Sequence, residues 1–198
     1  METDTKTALM DFAEHSVRAR GFDGFSYADL AEAVGIRKAS IHYHFPTKAS
    51  LSEALMERYH KALQSACAGI DAKYERASDR LAAMLDYYRN ALKGGQTLCL
   101  CVAFIGSQES LSEDLNSKIL AFREMILDWL TQTYARGRQD HSIASVTAPD
   151  QEARSTLALL EGAQLAARAA RDVQIFDQAT ELLRLRLHGS LPGGSKQG

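Results

Sequence analysis

The segment from Ser26 to Lys48, SYADLAEAVGIRKASIHYHFPTK, constrains the fold more tightly than any other stretch, because its apolar spacing and its punctuation specify two short helices joined by a tight turn. Ser26 has the chemistry of a helix N-cap, and Asp29 three residues later can complete a reciprocal capping box. Tyr27, Leu30, Ala31 and Val34 follow at i, i+3, i+4, i+7 and share one helix face, which must be the buried one. Gly35 allows the sharp turn, Ile36 adds a core contact, and a second helix begins near Lys38 and has to stop before Pro46. Ile41 and Phe45, four apart, fasten that helix to the core. Lys38, Ala39, His42 and Tyr43 are left pointing outward, beside Arg37 and Ser40.

Charge gives this outward face its chemistry. The chain of 198 residues carries a formal net charge of -2, which argues against a uniformly basic nucleic-acid coat and requires charge to be read locally. Residues 1 to 32 hold Lys6, Arg18 and Arg20 against seven acidic side chains, whereas residues 33 to 48 hold Arg37, Lys38 and Lys48 and no acid. Cations concentrated on and beside one short helix suit an element that enters a DNA groove. In that reading Arg37, Ser26, Lys48 and either Tyr43 or His44 anchor phosphates. Lys38, Ser40 and Tyr43 read base edges, Ala39 meets a thymine methyl, and Tyr27 and His42 complete the DNA-facing set. The bland alternative, a helical hairpin in a bundle core, does not account for the charge step.

At these residues the chain resembles the TetR/AcrR family of bacterial transcriptional regulators, whose DNA-binding segment commonly reads G-V-S-K-G-T-L-Y-x-H-F-x-S-K-E-x-L; here it is GIRKASIHYHFPTKASL. The resemblance is specific over residues 35 to 51 and extends over residues 6 to 60, with helix order and length carrying it further. It implies an all-α homodimer with an N-terminal three-helix DNA-binding domain containing the helix-turn-helix (residues 1–48) and a C-terminal helical effector-binding and dimerisation domain (residues 49–188). The partners it implies are a double-stranded DNA operator, palindromic to match the dimer, and a small-molecule effector that releases the repressor from it. Two departures from the family wording are informative. Arg37 stands where Ser or Thr is usual, which removes the N-cap acceptor of the reading helix, and His42 stands where Tyr is most common, which makes a backbone contact there sensitive to pH.

Helical periodicity dominates the rest, with no β signal and no internal repeat. At 45% hydrophobic and 24% charged, with three Pro, the chain has the material for a sizeable core and long helices. A first helix from about Lys6 to Arg20 turns Leu9, Phe12, Ala13, Ser16 and Val17 inward and stops at Gly21. Thr47 caps a fourth helix with Leu51, Leu55, Tyr59 and Leu63, which the resemblance makes a lever tilted by ligand. Ser78 caps a helix with Leu81, Leu85, Tyr88 and Leu92 that Gly94-Gly95 stops, and a short apolar helix follows from about Thr97 to Gln108. Ser112 caps a long helix with Ile119, Phe122, Ile126, Trp129, Leu130 and Tyr134, ending around Gly137; the polar stretch Arg138 to Pro149 reads as a mobile loop.

Two more helices, over residues 150 to 171 and 173 to 188, carry apolar side chains on more than one stripe. These are Leu157, Leu159, Leu160, Ala163, Leu165 and Ala167, then Ile175, Phe176, Ala179, Leu182, Leu183 and Leu187. A monomer core needs one such face, so the surplus suggests a partner, with a fully buried helix as the alternative, and the resemblance makes it the homodimer interface. The tail GSLPGGSKQG, residues 189–198, has the composition of a disordered segment.

The segment QTLCLCVAFIGSQESL places two thiols among apolar side chains where the family builds its effector pocket. Residues two apart on a helix point about 200 degrees from each other, so Cys99 and Cys101 face opposite ways and cannot bridge. Tyr88, Phe104, Gln108, Phe122, Met125 and Trp129 complete the candidate ligand-binding set. By the resemblance, sensing of electrophiles or oxidants through a Cys in this region is an option, with Cys101 favoured by its spacing to Glu109 and Cys99 second. No Lys, Arg or His lies within five residues of either thiol, so the stronger reading is two buried thiols acting as small apolar side chains, and the aromatic residues and Met likewise fit plain core.

Three Cys, at 67, 99 and 101, are too few for a disulfide framework and fit a reducing compartment. The start METDTKTALMDF has no apolar signal core, and the longest apolar run, Leu98 to Ile105, falls far short of the roughly 20 residues that span a bilayer, so a cytoplasmic protein without membrane contact is expected. No G-x-S-x-G, H-E-x-x-H, Gly-rich phosphate loop or Cys-x-x-Cys is present, and neither enzyme activity nor a cofactor or metal is expected. Glu57 with His60, and His42 with His44, are too few to form a metal site. The rival from another class is a helical dimer that binds small molecules or proteins without specific DNA affinity, a reading supported by the acidic first helix.

Overall fold

The computed structural model describes residues 4–187; the side chain of Gln108 and the tail expected to be disordered lie outside the described residues. Among these the chain is all α, with α1 (Thr5–Arg20), α2 (Tyr27–Val34), α3 (Lys38–His44), α4 (Lys48–Lys73), α5 (Ala77–Ala91), α6 (Leu100–Ile105), α7 (Glu113–Gln139), α8 (Pro149–Ala170) and α9 (Gln174–Leu187). The chain forms two compact units. Of the described residues, one takes those up to Leu63 with Gln96–Arg123; the other takes Gln64–Gly95 with those from Glu124 to Leu187.

In the first unit, the local signals act as their chemistry requires. α1 buries Leu9, Ala13, Ser16 and Val17, leaves Phe12 half-buried, and ends at Gly21, whose φ of 82° is open only to a residue without Cβ strain. Thr47 and Ser50 cap α4 reciprocally: the Ser50 N–H donates to Thr47 Oγ1 (3.0 Å) and the Thr47 N–H to Ser50 Oγ (3.2 Å). Leu51, Leu55, Tyr59 and Leu63 then form the expected buried row. Ser112 caps α7 by accepting from the Leu115 N–H (3.1 Å) and donates its own proton to Glu53 (2.8 Å).

α6 is shorter than the apolar run predicts, beginning at Leu100 instead of about Thr97 and giving way to a 3-10 turn at Gln108–Ser110. The cause is tertiary. The Leu98 N–H donates to Arg18 O (2.9 Å) and Arg18 Nε donates to Leu98 O (2.8 Å), so residue 98 satisfies its backbone against α1 instead of within a helix. Cys99 therefore occupies the N-cap position of α6 with extended-type angles (φ −54°, ψ 138°), not a helical turn.

In the second unit, three expectations of local signals are overturned by packing. Ser78 does not cap α5, which starts a residue earlier; the free amides of Ala77 and Ser78 donate instead to Asp140 Oδ2 (2.9 Å) and Ser142 Oγ (3.0 Å). Gly137 does not end α7. The Ile143 side chain lies where a Cβ of residue 137 would go, 2.5 Å from it, so Gly137 serves close packing inside the helix. The polar loop after α7 is pinned through buried Ser142, Ile143 and Val146 and through Arg186, which donates to Ala144 O (3.1 Å) and to both oxygens of Glu152 (2.8 and 2.9 Å). Polar groups within this core are likewise matched: Gln164 Nε2 donates to Tyr88 O (3.0 Å), and Tyr134 and Thr156 hydroxyls lie 2.6 Å apart.

α8 and α9 each carry two apolar faces, as expected. Leu157, Leu160, Ala163, Ala167, Phe176, Leu183 and Leu187 are buried within the unit. The opposite stripe is open: Leu165 is 51% and Leu182 76% exposed, with Leu159 and Ile175 half-buried and Ala179 exposed beside them.

Candidate nucleic-acid interface and thiol site

The helix-turn-helix is assembled by caps and two apolar anchors. Asp29 Oδ2 accepts from the Ser26 N–H (2.7 Å) and from its hydroxyl (3.0 Å), while the Asp29 N–H donates back to Ser26 Oγ (3.3 Å). These hydrogen bonds hold the Asp29 carboxyl below the usual carboxylate range, with the Arg20 and Lys38 charges adding to them. Leu30 is fully buried, and Gly35 closes α2 in the left-handed region at φ 73°. Arg37 precedes α3 without any side-chain cap, as its identity foretold. Ile41 at 0% and Phe45 at 3% exposure fasten α3 from beneath.

Above those anchors, Arg37, Lys38, Ala39, Ser40, His42 and Tyr43 are all exposed, and His44 is half-buried with its ring edge-on to Tyr43 (centroids 5.3 Å). Tyr43 stands 85% exposed. His42 Nδ1 donates to Pro46 O (3.1 Å), which leaves Nε2 as the outward atom. The other candidates are engaged in holding α3. The Tyr27 hydroxyl donates to Phe45 O (2.9 Å), its ring lies 4.9 Å from that of His42, and burial pushes its pKa up to about 12. The Lys48 ammonium lies over the rings of Phe22 and Phe25 (4.5 and 4.8 Å to their centroids) and pairs with Asp23 (3.5 Å). Ser26 is exposed but its hydroxyl belongs to the cap. Neither the Phe45 carbonyl nor the Phe22 ring as a partner is visible in local spacing, because both come from other elements of the unit.

The candidate effector residues fall in both units. In the first, Cys99 (3% exposed), Cys101 (0%), Phe104 (0%) and Phe122 (2%) are core. Burial raises the pKa of Cys99, outweighing a hydrogen bond with Tyr59, the amides of Val102 and Cys101 at the start of α6 and the positive charge of Arg18, all of which act the other way. In the second unit, Tyr88 is buried, Met125 half-buried, and Trp129 borders a polar cleft of about 330 Å³ lined also by Asp71, Arg80, Thr133 and Arg136, its indole N–H donating to Asp71 Oδ2 (3.0 Å). Cys67 is held inert there, burial and the Asp71 charge raising its pKa to about 12. The side chain of Gln108 lies outside the described residues. Among the described residues no three His, Cys, Asp or Glu come together as a metal-binding group, and no helix is long and apolar enough to cross a membrane.

An all-α chain whose α2 and α3 form a helix-turn-helix, with an exposed cationic and hydroxyl-bearing face on α3, defines the class of helix-turn-helix DNA-binding proteins. Known proteins agree. The family model of bacterial regulatory proteins, tetR family, matches residues 9–55. The HTH-type transcriptional repressor NemR of Escherichia coli K12 is 28% identical over 187 residues, covering 90% of this chain and 91% of that one. A TetR-family transcriptional regulator from Agrobacterium tumefaciens superimposes with a TM-score of 0.86 at 27% identity over 92% of this chain and 97% of that one. The reduced form of E. coli NemR does so at 0.78 and 26%, over 91% and 95%. The chain belongs to the TetR family of DNA-binding transcriptional regulators.

Proposed function

We propose that the protein is a one-component repressor with no catalytic role, acting in the cytoplasm as a homodimer through α8 and α9 on a palindromic operator, and released by a small-molecule effector. The observation that carries the DNA-binding part is the α3 face: six consecutive or near-consecutive exposed side chains, Arg37, Lys38, Ala39, Ser40, His42 and Tyr43, over a helix fixed by Ile41 and Phe45. Lys38, Ser40 and Tyr43 read base edges, Ala39 meets a thymine methyl, and Arg37, His42 and His44 take phosphates. Ser26, Tyr27 and Lys48 act chiefly by holding α3 at the angle it needs, since their polar atoms are already bonded within the unit. The repressor name of the E. coli relative supports the sign of regulation.

Fluorescence anisotropy against duplexes from the region upstream of the protein's own gene tests this. The wild type retains one duplex against random competitor. Lys38→Ala weakens that binding by roughly 5- to 100-fold if it reads a base, and relaxes one base preference; if it takes a phosphate, the slope of log affinity against log salt falls by about 1. Binding by Lys38→Ala that matches the wild type in affinity, specificity and salt slope removes Lys38 from the interface.

Within this reading the effector acts on the thiol of Cys99. Its hydrogen bond with Tyr59, its place at the start of α6 and the nearby Arg18 support taking Cys99 ahead of Cys101, the thiol that spacing to Glu109 favours. The structural relative named as a reduced form supports a redox-distinguishable state in that protein. Cys99→Ser makes operator binding insensitive to iodoacetamide while Cys101→Ser stays sensitive; a Cys99→Ser protein that still lets go of DNA on treatment rules the assignment out.

A further inference from the structure

Arg18 touches both the thiol segment and the helix that braces the DNA reader. Its Nε and carbonyl oxygen close a two-bond clasp with the backbone of Leu98, the residue before Cys99 (2.8 and 2.9 Å). Its guanidinium lies over the Tyr59 ring (5.6 Å to the centroid), and Tyr59 hydrogen-bonds to the Cys99 thiol. It also reaches Glu14 Oε1 (3.3 Å), whose other oxygen accepts from Arg58 (2.6 Å), which in turn donates to Asp11 (2.6 Å). At the other end of α1, Lys6 lies over the ring of Phe45 (5.8 Å to the centroid), one of the two anchors of α3. Just beyond α1, Phe22 meets Phe104 of α6 (centroids 6.1 Å apart), and the same Phe22 ring carries the Lys48 ammonium.

A packed site has no room for an added group: Cys99 is 3% exposed, so any substituent on its sulfur displaces neighbours. Those neighbours are Tyr59 and the clasped backbone of residue 98. We propose that Arg18 is a positioning residue that couples the Cys99 segment to the DNA-reading helices: a closed clasp keeps α1 in the place that holds α3 ready for the operator, and bulk at residue 99 opens it. This rests on the thiol reading of Cys99 for its natural trigger. With iodoacetamide as the probe, the sulfur–carbon bond forms as the carbon–iodine bond breaks, iodide leaves, and the thiol proton passes to solvent.

The test is a double-mutant cycle read as operator affinity by anisotropy on the duplex the wild type retains, with wild type, C99F, R18Q and the double variant. C99F lowers affinity about tenfold when Arg18 is present and less than about threefold when Gln replaces it, a non-additivity that a purely stabilising Arg18 does not produce. Equal losses in both backgrounds, or no loss in either, overturn the role of Arg18. C99M and R18K take their places in the same cycle if either variant fails to fold. Labelling the wild type with iodoacetamide, with mass confirming one adduct at Cys99, separates the two ideas. If the adduct leaves affinity unchanged while the cycle is non-additive, the thiol reading fails and the coupling stands; if the adduct lowers affinity and the cycle is additive, the thiol stands and Arg18 falls.

Discussion

Ile41→Ala abolishes specific operator binding and lowers unfolding free energy by about 2–5 kcal/mol, whereas Tyr43→Ala weakens operator binding and shifts stability by no more than about 0.5 kcal/mol. The two residues are neighbours but one on a seven-residue helix, and they differ in what they touch: Ile41 is 0% and Tyr43 85% exposed. α3 has no side-chain cap at its start and is far too short to persist alone, so its conformation is supplied by the anchors beneath it and by the Tyr27 hydroxyl bound to Phe45 O. Truncating Ile41 leaves a cavity under the helix and removes the surface against which it is oriented. Truncating Tyr43 removes only atoms that face outward. Urea unfolding followed by circular dichroism, alongside anisotropy with the retained duplex, separates the effects. Full operator affinity in Ile41→Ala, or a large stability loss in Tyr43→Ala, inverts the assignment of the two faces.

The second large effect is expected at the opposite end of the chain, where, on the proposed α8–α9 interface, Leu182→Asp converts the dimer to a monomer and weakens operator binding by about 100-fold or more. Leu182 is 76% exposed on α9 and Leu165 51% exposed on α8, so the apolar stripes they mark lose water only against another molecule. A carboxylate placed there must be desolvated in the interface without a partner, a cost that removes association. Losing the second subunit removes the second half-site from the same binding event, and with it the gain of effective concentration that linkage supplies. Because the side chain is exposed within its own unit, the melting of the isolated subunit changes little. Sedimentation at micromolar concentration reads the oligomeric state directly, and a Leu182→Asp protein that sediments like the wild type moves the interface to another surface.

Local chemistry makes the DNA-facing half legible in the sequence. The Ser26–Asp29 box, Gly35, the Ile41 and Phe45 pair and the missing cap at Arg37 each act over one or two turns, and each appears as its spacing implied. The caps at Thr47 and Ser112 and the twin apolar faces of α8 and α9 were legible for the same reason. The failures share a different cause. At Ser78 the amides expected to fall to a local cap went to Asp140 and Ser142, more than sixty residues away. At Gly137 a residue that reads as a stop was needed as space for Ile143. At Leu98 a segment that reads as helix was drawn straight by Arg18.

The thiols divide along the same line. Two cysteines two residues apart look equivalent in a chain, and periodicity assigns them opposite helix faces; yet Cys99 is not in the helix at all, because the clasp at Leu98 delays its start, and it acquires Tyr59 and Arg18 as company. What residue order settled here is everything carried by hydrogen bonds and apolar contacts within a turn or two: the helices, most of their ends, and the face of α3 that stays open. What waited for the folded chain is every group whose partner is remote in the sequence, namely which carbonyl Tyr27 holds, which tyrosine meets the Cys99 thiol, and which arginine clasps the preceding residue to α1. The physical reason is that short-range bonding depends on spacing alone, whereas a long-range partner is selected by whichever polar group the packed core leaves unsatisfied.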